Sequence, residues 1–331
     1  CAMVALRRNH YEHRLAVTGN TPAELAARLE QIAADAANDH SAAAGPAGSF
    51  ADGHAPAVVF VFSGQGPQWW AMGRELLADE PVFRQVVERC DALFQPLAGW
   101  SLLAELQAPA DRSRLDQTEV AQPAIFALQM GLAALWRAWG IVPAAVIGHS
   151  IGEVAAACTA GSLALEAAVK LVYHRARLMQ RATGGGQMAS VELPAAALAE
   201  RIAPYGDRLS IGAINGPTTS VLSGERAAVQ AVLAELTQAG VSYRELKVNY
   251  AFHSSQMAPL AEELAAALAG LTPQRATIPI YSTVTGQPTD GLDMDAAYWG
   301  RNMRQPVRFA DAIASVAANV AAGPAAGPAA G

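Results

Sequence analysis

Charge is scarce in this chain. Of 331 residues only 16% are Asp, Glu, Lys or Arg, well below the roughly 25% of an average globular protein. The 23 Lys+Arg are scattered among 29 Asp+Glu without a basic run, leaving a net charge of −6. That pattern excludes a nucleic-acid partner held by its phosphates and a membrane surface held by charge. Cysteine is rarer still: Cys1, Cys90 and Cys158 are odd in number, far apart and in no Cys-x-x-Cys pair, so neither a disulfide framework nor a thiolate metal site is signalled. Long apolar runs are missing too; Val58 to Phe62 is strand-sized, far short of the roughly 20 residues of a membrane helix. The N-terminus lacks the charged, apolar and small-residue zones of a signal peptide. The expected setting is therefore a reducing cytoplasm, and a chain beginning at Cys rather than Met reads as a fragment of something longer. What is abundant is apolar surface, 52% of residues with much alanine, enough for one large domain or two to three smaller ones with a buried core.

Along the chain, Arg14 to Gly19 reads as a short strand, followed by a helix that opens with Thr21 as cap, Pro22 at its first position and Glu24 behind, and carries Leu25, Leu29 and Ile32 on one face. Residues 41–56 have linker composition. A strand is predicted over Ala57 to Phe62, breaking at Ser63-Gly64-Gln65-Gly66-Pro67. Helical patterns follow at 68–95 and 121–139, and a second short strand over 144–147 runs into Gly148-His149-Ser150-Ile151-Gly152 with an alanine-rich helix behind it. Strands alternating with helices predict a parallel sheet covered on both faces. Between 186 and 249 the rhythm changes to strand, helix, strand, strand, helix, strand, with strands near 187–193, 210–214, 219–222 and 241–248, the order of a ferredoxin-like unit inserted in the first. Afterwards come a helix at 257–269, a strand at 278–281 and a helix near 309–320. The tail from 321 to 331, made of Gly, Pro and Ala, is low complexity.

The chemistry concentrates at Gly148-His149-Ser150-Ile151-Gly152. A G-x-S-x-G pattern between a strand and a helix is the nucleophile elbow: small flanking residues permit a sharp turn that lifts the serine Oγ out of the sheet and aims it at the amides of the helix N-terminus. A serine needs a base. Of the seven histidines, His10 and His13 lie in the N-terminal segment, His40 and His54 lie in or beside the linker, His149 adjoins the nucleophile without folding back on it, and His174 sits in a helical pattern. His253, in Tyr250-Ala251-Phe252-His253-Ser254, is the candidate base. No acid stands in a recognisable motif between Ser150 and His253, because Asp207, Glu225 and Glu245 fall in the inserted unit; a backbone group is the alternative orienter of the imidazole. His10-x-x-His13 has metal-like spacing but lacks further ligands. The pairs Trp69-Trp70 and Trp136 with Trp139 read as core or interface.

Gly64-Gln65-Gly66, Gly148-His149-Ser150-Ile151-Gly152-Glu153, the arginine twenty-five residues beyond the serine in His174-Arg175-Ala176-Arg177 and Ala251-Phe252-His253-Ser254 together resemble the acyltransferase domain of modular type I polyketide synthases, of the malonyl-CoA:acyl carrier protein transacylase kind. The resemblance covers nearly the whole chain. It implies an α/β fold with an α/β-hydrolase-like core at 56–185 and 250–320, a ferredoxin-like subdomain at 186–249 and a ketosynthase-to-acyltransferase linker at 1–55; Tyr298-Trp299 through Phe309 looks like the linker that follows. It implies further that Ser150 attacks an acyl-CoA thioester with His253 as base, that the amides of Gln65 and Ile151 hold the oxyanion, and that Arg175 selects dicarboxylic acyl groups through its planar fork. A phosphopantetheine on a partner carrier protein would accept the acyl group, with a ketosynthase in the same polypeptide and no permanently bound cofactor or metal.

Which dicarboxylate is taken rests on fewer residues. Ile151, Gln122-Pro123-Ala124 and Phe252 resemble malonyl-selective members, whereas Tyr250 resembles methylmalonyl-selective ones. The tetrapeptide Tyr250 to His253 is a hybrid, and a pocket methyl is worth only about 1–3 kcal/mol. Malonyl is the favoured reading, with a methylmalonyl-selective or promiscuous transferase, a serine esterase or thioesterase, and a non-catalytic docking scaffold as the alternatives. Asn215, in Asn215-Gly216-Pro217, is placed near the site or in a plain turn. Basic stretches at Arg175 to Arg181 and Arg301 to Arg308 are the expected contacts for an acidic carrier protein.

Overall fold

The structure, a computed structural model, describes residues 13–37, 47–49 and 57–321. The described residues fall into two compact units that divide after Ala57. In the first, β1 (His13–Leu15) pairs antiparallel with β2 (Ala47–Ser49), and α1 (Pro22–Ala37) lies between them in sequence. The strand is shorter than the pattern predicts, and part of the linker composition is strand. Thr21 caps α1, its Oγ accepting from the Glu24 amide at 3.2 Å, while Glu24 reaches back to the Asn20 amide at 2.9 Å. His10, His40, His54 and the tail beyond 321 lie outside the described residues; of His13 only the backbone is described.

The second unit begins with β3 (Val59–Phe62), a turn, α2 (Arg74–Asp79), α3 (Pro81–Ala98), α4 (Leu102–Leu106) and α5 (Thr118–Ala138). The single helical pattern at 68–95 is thus two helices. Proline at position 81 has no amide to continue α2, and its fixed φ opens α3 instead. Next come β4 (Ala145–Gly148), α6 (Gly152–Thr159) and α7 (Leu165–Arg181). After the segment 186–249 the chain continues through α10 (Ala258–Ala267), β9 (Ile280–Tyr281), β10 (Pro288–Thr289), α11 (Ala296–Arg304) and α12 (Phe309–Ala321), the number of α10 leaving α8 and α9 for that segment. Sheet order is β10-β9-β4-β3, with β3, β4 and β9 parallel and β10 antiparallel at one edge. The central strand β4 is buried at every residue and reads Ala-Val-Ile-Gly, as a strand covered on both faces must. Helix α11 belongs to this core: Tyr298 and Trp299 have no exposed surface.

Within 186–249 the elements are β5 (Gly186–Val191), α8 (Ala195–Ile202), β6 (Leu209–Gly216), β7 (Thr219–Glu225), α9 (Arg226–Gln238) and β8 (Tyr243–Glu245), in an antiparallel sheet of order β6-β7-β5-β8. Alternate residues of each strand serve opposite faces. Ala189, Val191 and Leu222 pack with Leu198 of α8 and Val229, Val232 and Leu236 of α9, whereas Met188, Ala213 and Val221 join the main core. The last strand is shorter than the predicted 241–248; beyond it the Leu246 amide still donates to the Met188 carbonyl at 2.9 Å, and the chain runs on to His253.

Candidate active site

Glycine is obligatory on both sides of the serine. A Cβ on Gly148 would lie 2.2 Å from the Glu153 amide nitrogen, and one on Gly152 would lie 2.2 Å from the Phe62 carbonyl oxygen. The turn between them forces Ser150 to φ +55°, a left-handed conformation that costs a non-glycine residue of order 1–3 kcal/mol and persists only where its surroundings hold it. The surroundings are β4 before it, α6 after it and the β3 turn beside it, where a Cβ on Gly64 would come within 2.8 Å of His149 Nδ1.

Ser150 and His253, 103 residues apart, meet with Oγ to Nε2 at 2.8 Å. His253 Nδ1 lies 3.0 Å from the Gln305 carbonyl oxygen. A carbonyl only accepts, so Nδ1 carries the proton and Nε2 is the acceptor. The serine hydroxyl therefore donates to the ring, the polarity a general base needs. Burial, assisted by the Arg175 charge, lowers the His253 pKa to about 3, so the imidazole is neutral at neutral pH, the form that can accept a proton. Among the described residues no acidic side chain bonds the ring; the backbone carbonyl following α11 is the orienting group.

Arg175, on α7, stands beside this pair. It has no exposed surface, and its Nη2 donates to Ser150 Oγ at 2.9 Å while Nη1 donates to Gln122 Oε1 at 2.7 Å. Nε has no partner, and no carboxylate forms a salt bridge with the guanidinium among the described residues. Burial brings its pKa down to about 9, which still leaves it charged at neutral pH. The charge cannot belong to a surface patch spanning 175–181, so that expectation is corrected; Arg181 pairs outside with Glu263 at 2.6 Å.

Gln122 passes the arginine's orientation onward. Its Oε1 must face Arg175, so its Nε2 donates to Gln65 Oε1 at 3.1 Å, and Gln65 Nε2 in turn donates to Thr118 Oγ1 at 3.2 Å and to Tyr250 OH at 3.4 Å. The side chain of Gln65 is thereby tied back, leaving its backbone to face the cleft. Neither its amide nor that of Ile151 donates to a protein acceptor among the described residues. Tyr250 and Phe252 stack face to face, centroids 3.6 Å apart and planes 11° from parallel. Asn215 accepts from His149 Nε2 at 3.0 Å, tying the end of β6 to the elbow; His149 is turned away from Ser150. All these residues except Arg175, Thr118 and Ile151 line one cleft of about 960 Å³ between the elbow and the antiparallel sheet. A second groove of about 560 Å³ beside β3 holds no ionisable side chain. Trp69 and Trp139 are more than half exposed and lie in neither core nor cleft. Burial pushes the Cys90 and Cys158 thiols up to about 12, so neither rivals Ser150 as a nucleophile.

Beneath the elbow lies a group that motif reading missed. Glu153 is fully buried and accepts from the Thr283 amide (2.7 Å), Thr283 Oγ1 (3.2 Å), Tyr298 OH (2.7 Å) and Asn302 Nδ2 (2.7 Å). Burial raises its pKa against the pull of these donors. Asn302 also reaches the Ser150 carbonyl at 3.3 Å. Helix α11 thus braces the nucleophile through Asn302, and the residue after its end holds the base through Gln305.

A family model for the acyl transferase domain matches residues 59–327. The chain belongs to the acyltransferase family. This acyltransferase is 43% identical over 314 residues to erythronolide synthase EryA2 of Saccharopolyspora erythraea, covering 95% of its own length and 9% of that protein's. Among solved structures it resembles the loading acyltransferase of the avermectin modular polyketide synthase, with 43% identity and a TM-score of 0.73 over 77% of this chain and 81% of that one. It also resembles the malonyl CoA-acyl carrier protein transacylase of Coxiella burnetii, with 27% identity and a TM-score of 0.70 over 81% and 84% of the two chains. These relatives share its mixed α/β content. No helix among the described residues is long and apolar enough to cross a membrane.

Proposed function

We propose that this acyltransferase moves an extender unit, malonyl before methylmalonyl, from CoA to the phosphopantetheine of an acyl carrier protein through an ester on Ser150. The observation that carries the proposal is Arg175: a buried, charged guanidinium in contact with the nucleophile that forms no salt bridge among the described residues, the buried Glu153 acting on it only through its charge. Burying a cation unpaired is costly, and a dicarboxylic acyl group brings the missing anion. A plain esterase or thioesterase has no use for it. A scaffold kept only for docking has no use for the aligned Ser150, His253 and Gln305 either.

In the first step Ser150 Oγ attacks the thioester carbonyl as its proton passes to His253 Nε2. The amides of Gln65 and Ile151 receive the oxyanion. The C–S bond breaks, and the departing CoA thiolate takes the proton from His253. Acylation turns Oγ into an ester oxygen, a poorer acceptor, which frees Arg175 Nη2 for the distal carboxylate beside the unpaired Nε. In the second step the carrier's thiol gives its proton to His253 and attacks the ester; the C–O bond breaks, and Ser150 recovers the proton. No resident cofactor or metal enters either step.

Preference for malonyl is supported by Phe252, whose ring is held against Tyr250 where an α-methyl would need room. The methylmalonyl reading draws on Tyr250 itself. We read residues 56–185 and 250–320 as an α/β-hydrolase-like core and 186–249 as a ferredoxin-like subdomain, with a ketosynthase in the same polypeptide as neighbour. The experiment is a product balance: malonyl-, methylmalonyl- and acetyl-CoA are each supplied with holo-carrier protein, and acyl-carrier is quantified against free acid. Malonyl-carrier as the main product is expected. Free acid in excess supports a thioesterase, and no turnover of any donor supports the scaffold.

A further inference from the structure

The nucleophile and its base share a backbone peculiarity. Ser150 and His253 stand at φ +55° and +58°, two of the three residues other than glycine with positive φ among the described residues, and such a conformation persists only where its surroundings hold it. One buried side chain reaches the first of them from α11. Asn302 Nδ2 donates to the Ser150 carbonyl at 3.3 Å and to Glu153 Oε2 at 2.7 Å. We infer that Asn302, aimed by Glu153, is a positioning residue for the backbone amide of Ile151. The inference deepens the acyl-transfer reading above and rests on it for the oxyanion role of that amide.

The link is the peptide group between Ser150 and Ile151. Its carbonyl and its N–H lie in one plane and, the bond being trans, point in opposite directions. Donors that grip the Ser150 carbonyl therefore aim the Ile151 N–H the other way, where it meets no protein acceptor among the described residues. Two donors do so: the Glu153 amide at 3.0 Å, in the first turn of α6, and Asn302. The amide of Asn302 has one workable orientation. Glu153 Oε2 and the Ser150 carbonyl are both acceptors, so both Nδ2 hydrogens are used and Oδ1 is left buried without a partner. Glu153 cannot swing away either, because its Oε1 accepts from the Thr283 amide and from Tyr298 OH, each at 2.7 Å. An orphaned acceptor and a left-handed serine both subtract from stability. The arrangement thus serves the geometry of the elbow rather than the strength of the fold. The same helix end reaches the base, since Gln305, just past it, holds the His253 ring.

The test follows labelling of Ser150 in single-turnover experiments with two reagents, malonyl-CoA and a fluorophosphonate. The second places a phosphonyl oxygen on the same amides and needs no acyl donor. Amplitude counts folded sites, and the rate constant reports alignment. Asn302→Ala should lower the rate constant roughly tenfold with either reagent, while the malonyl-CoA concentration at half-saturation stays within twofold of wild type. Glu153→Gln/Asn302→Asp reverses the bond between the two side chains, the new carboxamide donating to the new carboxylate. That variant should stand closer to wild type in urea stability than Asn302→Ala does, yet keep the low rate constant, because a carboxylate cannot donate to the Ser150 carbonyl. A rate constant that recovers along with stability, or that does not fall in Asn302→Ala, overturns the inference. Failure of both variants to fold also overturns it, making Asn302 a folding residue. Wild type labelled by the fluorophosphonate but by no thioester overturns the acyl-transfer reading alone, and the fluorophosphonate rates then decide the positioning role.

Discussion

Replacing Arg175 by alanine separates the two jobs its guanidinium does. Nη2 touches Ser150 Oγ and Nη1 is held by Gln122, so deletion disturbs the nucleophile for every donor and removes the anion clamp for dicarboxylates alone. Truncating one member of a buried, hydrogen-bonded charge pair costs about 2–5 kcal/mol, a loss of roughly thirtyfold to several thousandfold at about 1.4 kcal/mol per factor of ten. The lower half of that range is expected, because the vacated space adjoins the cleft and admits water. Acetyl-CoA lacks a carboxylate, so in wild type it leaves the cation buried and unpaired; the variant relieves that penalty. The assay is competition between malonyl- and acetyl-CoA, reading the two Ser150 adducts by mass, since the shared effect on Oγ cancels in the ratio. The malonyl-to-acetyl ratio should fall by about 2 kcal/mol or more, some thirtyfold. If both donors lose equally, Arg175 acts on Ser150 only; if malonyl stays within about threefold of wild type, it acts on neither; either result refutes the clamp.

Phe252→Ser opens the face now filled by the stack on Tyr250 and should shift the malonyl-to-methylmalonyl ratio toward methylmalonyl by about 1–3 kcal/mol, read by the same competition; an unchanged ratio removes Phe252 from selectivity. Gly152→Ala places a Cβ 2.2 Å from the Phe62 carbonyl, and urea unfolding should show a loss at or above the upper end of the usual overpacking cost of about 1–3 kcal/mol. His253 gives acid sensitivity of known sign. Its folded pKa of about 3 lies below the ordinary value of about 6.5, so between these the unfolded chain binds a proton that the folded one does not. Stability should therefore fall with falling pH in that window by up to about 1.4 kcal/mol per unit, and the difference from a His253→Gln variant isolates the effect; a pH-independent difference contradicts the burial of a neutral ring.

The elbow was legible because its signal is local: strand, G-x-S-x-G and alanine-rich helix are contiguous, and both glycines answer to steric contacts within a few ångströms. The alternating pattern of 186–249 was legible for the same reason, since Val221 and Leu222 face different cores. His253 emerged by elimination among histidines. The orienter of its ring did not, because a backbone carbonyl at Gln305 has no residue-type signature and lies 52 residues away. Arg175 is singled out in the sequence by family resemblance alone; in the structure its burial and its contact with Ser150 distinguish it from Arg177 and Arg181. Glu153 stood in plain view after the elbow, but its partners Thr283, Tyr298 and Asn302 come from beyond residue 280, so nothing local marked it. Of the reading of the tryptophans as core or interface, exposure removes the core for Trp69 and Trp139.

The central claim is a covalent ester on Ser150, and intact-mass measurement after brief mixing with malonyl-CoA tests it most directly. The account predicts a single malonyl adduct on the wild-type protein, absent from Ser150→Ala and discharged when holo-carrier protein is added. An adduct that persists in Ser150→Ala, or none on a folded wild type under any thioester, would contradict it.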